Sequence, residues 1–299
     1  MKLVVSEKPG TMAAGASLVL IAGCVQAVSA ETRSVNGSIE SLHVRLTGRV
    51  GIIARRLFCR QLPESRVLPA DETCNSNEGR ERGQGMYKLY NVKRWGSMAP
   101  HLVLEELGLP YQNIWMTPQQ VRSEEFRRMS PLGFIPALGL DDGRVIVESM
   151  AIIAFLTEAH RDHKLAPEPG TGDSAVYLSS LAFISSNIYG MINLAGFAAD
   201  YSNDPAVQKQ ISARARSDYH RAFDILDTRL AKEGPFLLGA DFSAADLYLF
   251  TMTIWAKPSE RALLERCLAI ARLSEHIRGK PKLKAALEAH GIMKVTEPA

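Results

Sequence analysis

Two apolar runs, IPALGL (135–140) and RVIVE (144–148), are joined by only Asp141-Asp142-Gly143. So short a connection cannot carry a crossover, so the runs predict an antiparallel strand pair. Upstream, YKLYN (87–91) and YQNIWM (111–116) flank a helical pattern from Ser97 to Gly108. Ala99, Leu102, Val103 and Leu107 fall on one face of it. Pro100 is tolerated in the first turn, and Gly108 and Pro110 stop the helix. A helical crossover predicts that these two strands are parallel. VRSEEFRRM (121–129) reads as a short charged helix, and Ser149 to His160 as another. The order βαβ, then αββα, predicts a small mixed sheet of the thioredoxin-like type over residues 86–165.

HKLAPEPGTGD (163–173) reads as a linker, after which strand signals vanish. Helical patterns cover 174–200, 205–233, 243–257, 261–273 and 281–291. Residues 173–292 therefore predict an all-α domain, and its long apolar helices predict a packed bundle. The predicted fold is an α/β thioredoxin-like domain followed by an all-α helical bundle, preceded by a disordered extension.

A chain of 299 residues suffices for two such domains. Its formal net charge of +3 gives little ground for a nucleic-acid or membrane partner. That surplus lies wholly in residues 1–85, with 11 Lys+Arg against 8 Asp+Glu, leaving the rest balanced. Of the cysteines, only Cys267 follows residue 85, so the larger part of the chain has no internal disulfide, which fits a reducing compartment. No CxxC pair and no Cys/His zinc spacing occurs, and no metal is expected.

Residues 1–85 read differently. Residues 1–30 carry an apolar core behind two lysines and end in Val28-Ser29-Ala30, like a secretory signal peptide, and IAGC (21–24) resembles a lipoprotein box. Met86 stands directly before the first convincing strand. The favoured expectation is that 1–85 is disordered or spurious and the protein cytoplasmic; export is the alternative.

Four local signals fall in a specific order. Ser97 at a strand-to-helix junction suits an N-cap. Capping is the favoured reading of the residue alone; its hydroxyl could also donate to a thiolate, which a helix N-terminus favours. Pro136 enters a strand; were its peptide bond cis, the Ile135 backbone would face outward to pair with an extended peptide. Glu148 and Ser149 open a helix, where they suit capping or the grip of an amino-acid head group. Ser243 and Asp246 have capping-box spacing, with Phe242 and Leu247 as a hydrophobic staple, a purely structural device.

In this order, the Ser97 junction, GFIPAL (133–138), VESMAI (147–152) and LLGADFSAADLYLF (237–250) resemble the glutathione S-transferase family over residues 86–292. APHLVLEELGLPY resembles bacterial, beta-like members most. The resemblance implies glutathione as co-substrate, a small hydrophobic electrophile as second substrate, and a homodimer. It places Ile135 and Pro136 beside the cysteinyl backbone of glutathione, and Glu148 and Ser149 at its γ-glutamyl end. Beta-like members often carry cysteine one place before the serine, where this chain has Gly96. A mixed disulfide there is impossible, so the catalytic expectation falls on Ser97 as thiolate stabiliser, a role that Asn91 or a backbone N–H could share. Trp95, Met98, Tyr189 and Trp255 are expected at the second-substrate pocket. Tyr189 aligns where beta-like members often have histidine. Arg122, Arg127, Gln119 and Gln120 are candidates for the glycyl carboxylate. Two alternatives stand beside conjugation: a glutathione-dependent peroxidase or disulfide reductase without an enzyme cysteine, and a non-catalytic binding module.

Overall fold

The computed structural model describes residues 28–35, 38–46 and 86–295. The chain divides into two units, 1–79 and 80–299. In the first, β1 (Val28–Val35) and β2 (Ser38–Leu46) form an antiparallel hairpin. The expectation of disorder over 1–85 misses this hairpin, although its signals are in the sequence. Asn36-Gly37 is a favoured two-residue turn, and Leu42, Val44 and Leu46 alternate with His43 and Arg45. The remainder of 1–85 lies outside the described residues.

The second unit begins with the expected mixed sheet. β3 (Tyr87–Asn91) leads through α1 (Met98–Leu107) to β4 (Tyr111–Trp115), parallel to β3. Two short helices follow, α2 (Pro118–Val121) and α3 (Glu124–Met129), where the sequence suggested one. Ser123 separates them because its hydroxyl caps α3 through the Phe126 N–H. β5 (Ala137–Gly139) and β6 (Val145–Val147) are antiparallel, and the sheet order is β4-β3-β5-β6. α4 (Ser149–Ala159) closes the domain. Gly108 ends α1 in the left-handed conformation, φ 63°, where its N–H reaches the carbonyls of Leu104 and Glu105.

Strand alternation sorts the sheet's two faces. Leu89 and Leu138 join α1 and α4 in the main core, with Met98, Leu102, Ile152 and Ile153. On the other face Tyr90 packs against Phe126, Val121 and Ile135.

The helical domain follows. α5 (Gly172–Phe183) continues through a π-helical segment, Ile184–Tyr189, into α6 (Gly190–Gly196). α7 (Pro205–Glu233) packs along this run. α8 (Ala244–Thr253) is buried over its whole length, which explains its apolar character all round. α9 (Glu260–Arg266), α10 (Leu268–Arg278) and α11 (Lys284–His290) complete the bundle. The single helix predicted over 261–273 is two, broken at Cys267.

The capping box at α8 forms as expected. Asp246 is fully buried and accepts from the N–H and hydroxyl of Ser243 at 2.8 and 2.9 Å, and from the Leu237 N–H at 2.8 Å. Burial pushes its carboxyl up to about 6, against the opposing pull of these bonds. A second buried anchor is Glu260, paired with Arg278 at 2.6 Å and bonded by the Thr253 hydroxyl at 3.0 Å. Arg278 also stacks its guanidinium 4.9 Å from the Phe250 ring centroid.

Candidate active site at the strand-to-helix junction

The loop between β3 and α1 contains Trp95, Gly96 and Ser97. The Ser97 side chain is 0% exposed and turned inward. Its hydroxyl donates to Asn91 Oδ1 at 2.5 Å and accepts from the Val92 N–H at 3.1 Å. It makes no capping bond to its own helix. Neither role expected of it, cap or outward donor, matches this geometry: a hydroxyl has one proton, and Asn91 receives it. Asn91 is equally committed, donating to His101 Nδ1 at 3.2 Å and Asn113 Oδ1 at 3.1 Å.

The Ile135–Pro136 peptide bond is cis, as the family pattern implies. Both residues are buried, and the Ile135 carbonyl oxygen lies 3.1 Å from where a Cβ on residue 96 would sit. Loop 94–96 and the Ile135 backbone thus approach one another closely, at a point where glycine leaves room for the Tyr189 hydroxyl.

Glu148 stands at the start of α4 with φ 71°, a conformation that costs a non-glycine residue free energy and concentrates at functional sites. Its side chain is exposed and does not cap α4, so the helix presents uncapped first-turn N–H groups. The Ser149 hydroxyl, expected at a ligand carboxylate, bonds instead to the Tyr248 hydroxyl at 2.8 Å.

Of the expected pocket residues, Trp95 is exposed at 38%. Met98 corrects the expectation: it is fully buried in the main core and lines no cleft, because it occupies the inward face of α1. Tyr189 and Trp255 stack with ring centroids 5.3 Å apart and planes at 16°. The Trp255 indole N–H donates to the Arg94 carbonyl at 2.9 Å, so the pair is fastened to the loop that holds Gly96. An added Cβ at Gly96 would overlap the Tyr189 hydroxyl. Burial is the main reason the Tyr189 phenol is pushed well above its ordinary range; Tyr248 and Glu148 add to this, and a hydrogen bond with Asn193 opposes it.

Among the candidates for a carboxylate, Gln120 is engaged in the α2 capping box with Thr117. Arg122 and Arg127 are exposed.

A polar chain behind the loop has no counterpart in the sequence reading. The Arg94 N–H reaches His290 Nδ1 at 3.1 Å, His290 Nε2 lies 2.9 Å from His101 Nδ1, and His101 Nε2 lies 2.7 Å from the Tyr111 hydroxyl, which donates to Glu105. One neutral tautomer per imidazole makes the chain continuous, each Nδ1 accepting and each Nε2–H donating, with the single Nδ1 lone pair of His101 shared between His290 and the Asn91 amide. Burial lowers His101 to about 4 and His290 to about 3, His290 being further depressed by His101 and Lys93. Its only local signal is His101, one turn after Ser97; His290 lies 189 residues away.

Among the described residues no group of three His, Cys, Asp or Glu could hold a metal ion. Cys267 is buried, and burial raises its thiol.

Comparison with known proteins agrees with this geometry. The family model for the glutathione S-transferase N-terminal domain matches residues 97–159, and that for its C-terminal domain matches 209–288. Glutathione S-transferase GstA of Escherichia coli O157:H7 is 26% identical, with 69% of this chain and 99% of that protein covered. The crystal structure of a glutathione transferase from Methylococcus capsulatus superposes with a TM-score of 0.59 at 31% identity, covering 69% of this chain and 100% of that one. A sphingomonad glutathione S-transferase complexed with glutathione superposes with a TM-score of 0.59 at 27% identity, covering 69% and 99%. With both domain models matched in order and the whole of a 31%-identical relative covered, the chain belongs to the glutathione S-transferase family.

Proposed function

We propose that the protein binds glutathione, lowers the pKa of its thiol and presents the thiolate to a small hydrophobic electrophile. The observation that carries this reading is a pair of backbone features: the Ile135 carbonyl beside Gly96 and before cis-Pro136, and the uncapped first turn of α4 after Glu148. Ile135 would pair with the cysteinyl backbone. The α4 amides favour the γ-glutamyl carboxylate, and Glu148 its ammonium. Glutathione bound in the sphingomonad relative supports the same ligand here. Trp95, Tyr189 and Trp255 give the second substrate an aromatic wall. With Gly96 in the loop and Cys267 buried, the reacting sulfur belongs to the ligand.

The test is titration calorimetry with glutathione, followed by ultraviolet titration of the bound thiol. The expected results are binding, a bound thiol pKa below that of free glutathione, and faster turnover of an aryl halide than of a hydroperoxide. Absence of glutathione binding overturns the reading. Binding with an unshifted thiol pKa identifies a non-catalytic module, and faster hydroperoxide turnover identifies a peroxidase.

A further inference from the structure

We infer that the Tyr189 hydroxyl, delivered from the helical domain, is the side-chain group that hydrogen-bonds the sulfur of bound glutathione, in place of any side chain on the β3–α1 loop. The inference rests on the reading that glutathione binds at this junction.

Three observations lead to it. The first is position. The Tyr189 hydroxyl fills the space into which a side chain at position 96 would project, and the Ile135 carbonyl is 3.1 Å from that same point. A thiol peptide paired with the Ile135 backbone therefore brings its cysteinyl side chain to the phenol. The second is exclusion of the local hydroxyl. Ser97 gives its only proton to Asn91, and the Asn91 amide is spent on His101 and Asn113, so neither of these two side chains holds a free proton to offer the sulfur.

The third is construction. Tyr189 is the last residue of the π-helical segment Ile184–Tyr189. π-Helical turns are rare and concentrate at functional sites, because the wider turn re-aims the residues that follow. The ring is then fixed by its stack on Trp255, which is itself hydrogen-bonded to Arg94, two residues before Gly96. Burial keeps the proton on the phenol, so it acts as a donor and not as a base.

The step balances simply. The sulfhydryl proton leaves to water, and the phenol keeps its own proton while donating a hydrogen bond to the sulfur anion. With an aryl halide, the thiolate forms the carbon–sulfur bond and the halide departs with the electron pair of the bond it leaves.

The test uses the full chain and ultraviolet titration of bound glutathione. A hydrogen bond to an ion is commonly worth enough that Tyr189→Phe should raise the bound thiol pKa by about one to two. Binding of S-methylglutathione, which has no thiolate to stabilise, should change less than about twofold, a difference small beside the tenfold that 1.4 kcal/mol represents. Gly96→Ala, which pushes the phenol away, should raise the thiol pKa in the same direction while circular dichroism stays unchanged. An unaltered thiol pKa in Tyr189→Phe overturns the inference and leaves glutathione binding standing. A larger rise from Ser97→Ala than from Tyr189→Phe also overturns it. Failure of the unmodified protein to bind glutathione removes both this inference and the function it rests on.

Discussion

Ser97 carries its hydroxyl inward, and that single rotation reassigns its work. It ties the end of β3 to the loop through Asn91 and Val92. Ser97→Ala would strand the buried Val92 N–H and Asn91 Oδ1. We expect a loss of about 1–2 kcal/mol in urea denaturation, the usual cost of an orphaned buried pair. The sequence marks this position correctly as a junction residue. It cannot show which way the hydroxyl points, because a helix cap and an inward anchor use the same residue at the same place. Tyr189 is the converse case. The family pattern assigns it to a second pocket, but its approach to Gly96 depends on a turn geometry that leaves the helical periodicity intact.

Among the elements, the α8 cap and the Glu260–Arg278 pair are buried polar anchors of the bundle. Asp246→Ala leaves the N–H groups of Leu237 and Ser243 buried without an acceptor. The expected loss is about 3 kcal/mol, with Asp246→Asn losing less because it keeps an acceptor oxygen; thermal or denaturant unfolding measures both. This cap was readable because its chemistry is local: serine and aspartate three residues apart, flanked by apolar residues. The strand directions were readable for the same reason, since a three-residue turn and a helical crossover each fix one. The splits at Ser123 and Cys267 were not readable, because apolar spacing continues across both and only the backbone geometry departs from a single helix.

Across the whole unit 80–299, the thioredoxin-like and helical domains meet through polar groups as well as apolar ones. Lys280 pairs with Glu106 at 3.2 Å, Trp255 holds Arg94, and His290 meets His101. The histidine pair makes stability depend on pH. Both imidazoles have folded-state pKa values below the ordinary 6.5, so between about 3 and 6.5 the unfolded chain binds more protons than the folded one. Their contribution is complete above 6.5 and falls as the pH drops toward 4. Asp246 acts in the opposite sense between 3.8 and about 6, because its folded pKa is raised. The diagnostic is therefore a difference: His290→Asn should flatten the loss of stability between pH 6.5 and 4.5, measured by urea denaturation at each pH. An equal slope in the two proteins would refute the linkage.

The overlap of Gly96 and Tyr189 bears on which sequences this protein can reach by single substitutions. A cysteine at 96 is the residue that would give the loop its own redox chemistry, yet introduced alone it meets the phenol. Clearing the phenol first removes the proposed donor and leaves glycine in place. Either order disturbs the same contact, so two positions 93 residues apart are coupled. The choice between a sulfur held by the protein and a sulfur brought by the ligand is thus tied to one steric contact between the two domains.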